Sequence, residues 1–290
     1  MPGVTWPAPR PSHVSGPSAH PGVVEGVHDI HMATNTMVLG DDGSPSADLA
    51  WLWINSHVWP QWRLEVITAQ DPVVVRVAAT RPKPVVWVPP NPRRPFADAQ
   101  LDEVVHLIVE SDPRLALSRP ADLLVIGPRG RGLLKALHLG STAEWLMTHP
   151  PAPIVVPRHG RRTQTVVLCH DGSPHAQAAT HTLSLLPWAH QLTVTVVAVK
   201  DGRADVKRAI DDATGVLEGV GADVHHQILA GDPTDELLNY LGRHKPDLVV
   251  LGTRGLTGVR RLVIGSTAGV VAHTTDHSIM LACAEPAGDH

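Results

Sequence analysis

The stretch Leu248 to Ser266 reads LVVLGTRGLTGVRRLVIGS. Its first four residues are aliphatic and stop at a glycine, which predicts a short buried strand. Gly252, Gly255 and Gly265-Ser266 punctuate the loop behind that strand, and Thr267 to His273 carries a short helical pattern. Strand, glycine-rich loop and helix start form the order of a phosphate cradle. Glycine lets the backbone approach an anion and adopt positive φ. A helix N-terminus adds free N–H groups and the positive end of its dipole. The pattern stands once more as GPRGRGLLKALHLGS, from Gly127 to Ser141, after the aliphatic run Leu123 to Ile126. Gly127, Gly130, Gly140 and Ser141 precede Gly252, Gly255, Gly265 and Ser266 by one constant offset of 125 residues.

A second repeated signal is the tetrapeptide Asp-Gly-Ser-Pro, at Asp42 and again at Asp171. Each comes after a short aliphatic run, and Ser with Pro behind it is the signature of an N-cap and a first helical residue. Between these landmarks strands alternate with helices, most plainly in the second half. There Val206, Ile210, Ala213 and Leu217 line one helix face. Such alternation predicts a parallel sheet with right-handed crossovers. The chain therefore reads as one five-stranded α/β unit used twice. Residues 1–33, rich in Pro, Gly, Ser and His, are expected to form a loosely ordered arm. The first unit is expected over 34–158, a connector over 159–163, and the second unit over 164–285.

Composition narrows the function. The 290 residues suit two domains, and a net charge of −4 with no basic stripe argues against nucleic acid as the main partner. No run of about 18 apolar residues suggests a membrane span. The N-terminus shows no apolar core of a signal peptide. Cys169 and Cys283 sit in separate aliphatic runs, which fits buried reduced thiols in a cytoplasmic protein. The eight Trp residues, against one Phe and one Tyr, pack a core or an interface; a platform for a nucleobase is the competing reading. His28 and His31 lack the Cys or carboxylate companions of a metal site.

In open α/β sheets ligands lie beyond the carboxyl ends of the strands, where the strand order reverses. If the first and fourth strands of a unit are neighbours, Asp171 faces the loop from Gly252 to Ser266. A carboxylate on one rim and a backbone cradle on the other suit a nucleotide, with Mg²⁺ near Asp171 bridged through its phosphates. No Gly-Lys-Ser/Thr tripeptide stands here, which excludes a Walker A loop. The dinucleotide fingerprint belongs after the first strand of a unit, not the fourth. Each candidate keeps a plainer alternative. Asp42 and Asp171 either contact ligand or only shape their turns. Ser141 and Ser266 either cap a helix alone or also bind phosphate. Arg129 and Arg254 either reach phosphate or remain solvated. Glu144 reads as the partner of Ser141 in a capping box, and His170 as a residue at the site rim.

At G-x-x-G-x9-G-S, twice, each half resembles a universal stress protein domain, and the whole resembles the tandem two-domain members. The resemblance spans residues 36 to 284 and implies a flavodoxin-like fold with strand order 3-2-1-4-5. It implies ATP as the ligand. In the second half the residues it points to are Asp171, Val199, Gly252, Arg254, Gly255, Gly265, Ser266 and Thr267. In the first they are Asp42, Ala69, Gly127, Arg129, Gly130, Gly140, Ser141 and Thr142. It also implies pairing through last strands, here Ile154-Val155-Val156 with Ile279-Met280-Leu281, and a homodimer as a further option.

The first half departs from that pattern. Seven prolines between Asp71 and Pro95 displace its second helix, and Pro113 to Asp122 leaves room for only a short third one. The second half is therefore expected to be the better ATP site. An ATP-binding regulatory module of stress or dormancy is the leading function. A weak Mg²⁺-dependent ATPase or nucleotidyl transferase comes second, since phosphoryl transfer needs a residue to position the nucleophile and none stands out. A partner protein that binds no nucleotide is the third. No catalytic residue is assigned.

Overall fold

The structure, a computed structural model, describes residues 35–70, 99–129, 139–200, 206–253 and 264–284. The proline-rich stretch and the middle of both glycine loops lie outside these residues. The first half runs β1 (Asn35–Gly40), α1 (Pro45–Asn55), β2 (Trp62–Ala69), β3 (Glu103–Val109), α2 (Pro113–Leu117), β4 (Leu123–Ile126), α3 (Ser141–Thr148) and β5 (Ile154–Val156). The second runs β6 (Thr165–Cys169), α4 (Pro174–Ser184), β7 (Thr193–Lys200), α5 (Val206–Gly219), β8 (Asp223–Ala230), α6 (Pro233–His244), β9 (Leu248–Gly252), α7 (Ser266–Thr274) and β10 (Ser278–Ala282).

The described strands join one sheet in the order β3-β2-β1-β4-β5-β10-β9-β6-β7-β8. Each half contributes the order 3-2-1-4-5, and pairing within a half is parallel. The fold is flavodoxin-like α/β. The central strands β4 and β10 are buried along their whole length, as strands covered on both faces must be. The edge strand β8 is exposed at most positions.

Two repeated local devices fix each half. The Asp-Gly-Ser-Pro turns place Gly43 at φ 71° and Gly172 at φ 82°, a left-handed backbone that only glycine adopts cheaply. Ser44 and Ser173 then accept from the backbone N–H of Ala47 and Ala176, both at 3.2 Å, as caps of α1 and α4. At the opposite end of the sheet, Asp122 and Asp247 precede β4 and β9. Asp122 accepts from Thr36 N–H at 2.7 Å, and Asp247 from Thr165 N–H at 3.0 Å. The same aspartates donate their own backbone N–H to Thr36 and Thr165 carbonyls. Burial would raise the Asp247 pKa, but the hydrogen bonds from Thr165 and Gln164 and the charge of Arg161 hold it below the usual carboxylate value.

The halves meet where β5 runs antiparallel to β10, with Ile279 opposite Val156 and Leu281 opposite Ile154. Arg158, just beyond β5, donates to the Ala272 carbonyl at 2.9 Å and its N–H reaches Ser278 Oγ at 3.1 Å. Beneath this seam lies an aromatic cluster. Trp188, beyond the end of α4, sits 5.9 Å from Trp53 and 5.8 Å from Trp59 between ring centroids, and 4.2 Å from His57. His57 donates from Nδ1 to the Trp53 carbonyl at 2.7 Å and accepts at Nε2 from Thr163 N–H at 3.0 Å. Trp53 Nε1 donates to Thr163 Oγ1. The stretch 159–163, expected as a connector, thus ends in a buried threonine gripped by the first half.

His57 is held neutral, and its pKa is pushed down to about 4 by burial. Its folded pKa lies below its unfolded one. Its contribution is therefore complete above the ordinary histidine pKa and is lost as pH falls toward about 4. The shift corresponds to about 3 kcal/mol. Urea unfolding of the protein between pH 7 and pH 4.5 is expected to show that slope, and His57→Gln to flatten it.

Candidate functional site

β1 neighbours β4, with Gly40 opposite Ile126, and β6 neighbours β9, with Cys169 opposite Leu251. In each half the Asp-Gly-Ser-Pro turn and the glycine loop therefore leave adjacent strand ends at the point where the strand order reverses. This is the crevice in which such sheets bind ligands.

The first glycine of each loop is required for a reason other than approach to an anion. A Cβ on Gly252 would lie 2.6 Å from the His175 carbonyl carbon and 2.7 Å from Ala176 N. A Cβ on Gly127 would lie 2.6 Å from both the carbonyl carbon and oxygen of Ser46. The end of the fourth strand presses against the first turn of α4 or α1, and only glycine leaves room. The two loops also close alike. Gly265 N–H donates to the Thr253 carbonyl at 2.7 Å, and Gly140 N–H to the Pro128 carbonyl at 2.8 Å.

The helices α3 and α7, which the loops enter, are not capped as the sequence suggested. The N-caps are Gly140 and Gly265, neither helix has a side-chain cap, and Ser141 and Ser266 are the first helical residues. A capping box built on Ser141 and Glu144 is thus overturned: the box needs its hydroxyl at the N-cap, one residue earlier. Gly265, the N-cap of α7, has no side chain to receive the leading N–H groups, and an anion can take that place.

The remaining candidates fall around this terminus. Thr267 Oγ1 lies 3.1 Å from Thr234 Oγ1, so the first turns of α7 and α6 stand side by side. In the first half α2 has five residues and its Arg114 is engaged by Asp112, at 2.9 and 2.6 Å. That carboxyl is pulled down to about 2 by the Arg114 hydrogen bond. Thr142 therefore has no equivalent second helix of full length beside it. Asp42 and Asp171 accept from Ser44 and Ser173 N–H at 2.9 and 3.0 Å, so both shape their turns. Asp171 is also solvent-exposed on the turn. Ala69 is the last residue of β2 and Val199 the last but one of β7, both half-buried on the face that packs against α3 and α7. Arg129 offers its carbonyl to Ser44 Oγ at 3.3 Å, and its charge opposes that of Arg158, whose pKa is lowered chiefly by burial. Gly130, Arg254 and Gly255 lie outside the described residues.

His170 is buried rather than displayed on a rim. Its Nδ1 accepts from Gly172 N–H at 3.2 Å, and burial lowers its pKa against the opposing charges of Asp171 and Asp212. Asp41 does the same work in the first half, accepting from Gly43 N–H at 2.8 Å. Trp51, Trp53, Trp59, Trp62 and Trp188 are all buried, which assigns them to core and seam, not to a nucleobase platform. Among the described residues no group of three or more His, Cys, Asp or Glu is placed to hold a metal ion.

Sequence reasoning missed His175 and Thr253. His175 Nδ1 lies 3.2 Å from Thr253 Oγ1 and accepts from Ala284 N–H at 3.1 Å. These residues are distant in sequence, and no local spacing announces their meeting.

The family model described as the universal stress protein family matches residues 93–158 and 203–282. A universal stress protein of Synechocystis sp. is 27% identical over 163 residues, covering 55% of this chain and 57% of the relative. One of Thermus aquaticus is 29% identical over 134 residues, covering 41% of this chain and 97% of the relative. The chain thus spans little more than half the length of the Synechocystis relative, and 36% of a Methanocaldococcus jannaschii one. A crystal structure of a universal stress protein from Archaeoglobus fulgidus superposes with a TM-score of 0.61 at 16% identity. It covers 86% of this chain and 98% of that one, a likeness of fold. Among the described residues no helix is long and apolar enough to cross a membrane.

The close contact at the strand end has a direct consequence. Gly252→Ala is expected to lower stability by roughly 1–3 kcal/mol, as overpacking does, without any ligand present. A melting curve unchanged from the parent protein would show that the contact is not tight.

Proposed function

The chain belongs to the universal stress protein family, and from that premise we propose that it is an ATP-binding regulatory module with its principal site in the second half. The observation that carries the reading is the α7 terminus. It has no side-chain cap, its Gly265 is fixed by the bond to the Thr253 carbonyl, and the first turn of α6 stands beside it. The α7 dipole and its leading N–H groups favour a polyanion at that place, whereas the first N–H groups of α6, at Thr234 and Asp235, are already taken by Asp232.

In this reading Gly265, Ser266 and Thr267 hold the phosphates, with Arg254 and Gly255 of the loop. Gly252 sets the position of the loop by its contact with α4. Asp171, on the facing turn, accepts from the sugar or approaches a phosphate-bound Mg²⁺. Val199 supports the base from the end of β7. ATP supplies the charge and the bulk; the chain supplies a shaped, anion-seeking crevice. Occupancy then acts as a signal. The first half offers Asp42, Ala69, Gly127, Arg129, Gly130, Gly140, Ser141 and Thr142 at the matching sequence positions, but with a five-residue α2. We place its affinity below that of the second half, and the two domains at 34–158 and 164–285.

Titration calorimetry with ATP and Mg²⁺ is expected to give one strong site per chain. Ser266 is exposed at the first helical position, so Ser266→Glu should preserve the fold while opposing a phosphate. ATP affinity should fall at least tenfold with no loss of melting temperature. Equal ATP binding by the parent and by Ser266→Glu would contradict the placement, and no binding by the parent would contradict the reading.

A further inference from the structure

The two loops are fastened to their surroundings differently. Thr253, the second residue of the second loop, is 3% exposed and has three attachments. Its N–H donates to the Ala282 carbonyl at 2.8 Å, its carbonyl receives Gly265 N–H, and its hydroxyl meets His175 Nδ1. His175 stands in the first turn of α4 and also receives the N–H of Ala284, just past β10. Because Nδ1 accepts that N–H, the neutral ring carries its proton on Nε2. The imidazole thus ties three chain segments: the loop entry, the helix behind the Asp171 turn, and the end of the strand that pairs with β5.

Among the described residues the first half shows no equivalent of this imidazole tie. Thr253 corresponds to Pro128, which has neither N–H nor hydroxyl, and His175 corresponds to Ser46. The loop-closing bond, Gly140 N–H to the Pro128 carbonyl, is kept. The Ser44 cap reaches the Arg129 carbonyl at 3.3 Å, which joins helix to loop.

We propose that His175 is a positioning residue for the second nucleotide site, holding the loop entry at Thr253 against the end of β10 so that the uncapped α7 terminus meets the phosphates in place. The proposal rests on the ATP reading given above. It adds that in the second half one imidazole joins the loop entry, the helix and the end of the seam strand. An ordered loop entry binds with less conformational cost than one that must first be fastened.

The test uses the full chain with two substitutions and two readouts. His175→Leu removes the acceptor. His175→Asn presents an amide oxygen close to where Nδ1 lies. The first readout is amide hydrogen exchange without nucleotide. His175→Leu should speed exchange at Thr253, Gly265 and Ala284 at least tenfold and leave Thr36 and Gly140 unchanged; His175→Asn should restore slow exchange. The second is ATP affinity, expected to fall about tenfold in His175→Leu and to recover in His175→Asn. Slow exchange at all three amides in His175→Leu would overturn the proposal. So would unchanged ATP affinity in that variant. If the parent binds no ATP, the nucleotide reading fails, and the exchange data alone then decide whether the tie exists.

Discussion

The site depends on a contact in which nothing can be added. At Gly252 and at Gly127 the end of a central strand lies against the backbone of a helix's first turn, at distances that exclude a Cβ. This closeness brings the Asp171 turn and the glycine loop to the same crevice, since the turn opens α4 and the loop leaves β9. Side chains alone could not hold two backbones so near. The glycine was readable in the sequence as a phosphate-loop residue. The structure gives it a packing role that would persist without any ligand.

The second constraint is the seam. β5 lies between β4 and β10, and β10 between β5 and β9, so neither last strand keeps a free edge. Among the described strands the edges are β3 and β8. The seam is also weighted with aromatic area: Trp53, Trp59 and Trp188 bury around a neutral His57 whose two ring nitrogens are both engaged. Trp188 belongs to the second half and the other two to the first. The two halves are therefore packed as one body along one face of the sheet.

Much of this was legible in the amino-acid sequence, because the signals were periodic or local. The aliphatic runs Leu123 to Ile126 and Leu248 to Leu251 are buried strands, and the Ser-Pro pairs cap helices, because both effects act within a few residues. The shortening of α2 was set by the spacing of Pro113 and Pro120. Failures arose where a choice of one residue or a distant partner decided the outcome. Ser141 and Ser266 look like N-caps, yet the chain enters each helix one residue earlier, through a glycine. His170 looks like a rim residue, yet its turn folds the ring inward onto Gly172. The meeting of His175, Thr253 and Ala284 depends on the strand order, which no local pattern carries.

The central claim is that the crevice between β6 and β9 receives the phosphates of a nucleotide at the α7 terminus. Backbone amide shifts of the labelled protein during ATP and Mg²⁺ titration test this most directly. The account requires the largest shifts at Gly265, Ser266 and Thr267, with Gly172 and Ser173 on the facing turn moving in step. Shifts confined to other surfaces, or saturation without movement of these amides, would contradict it.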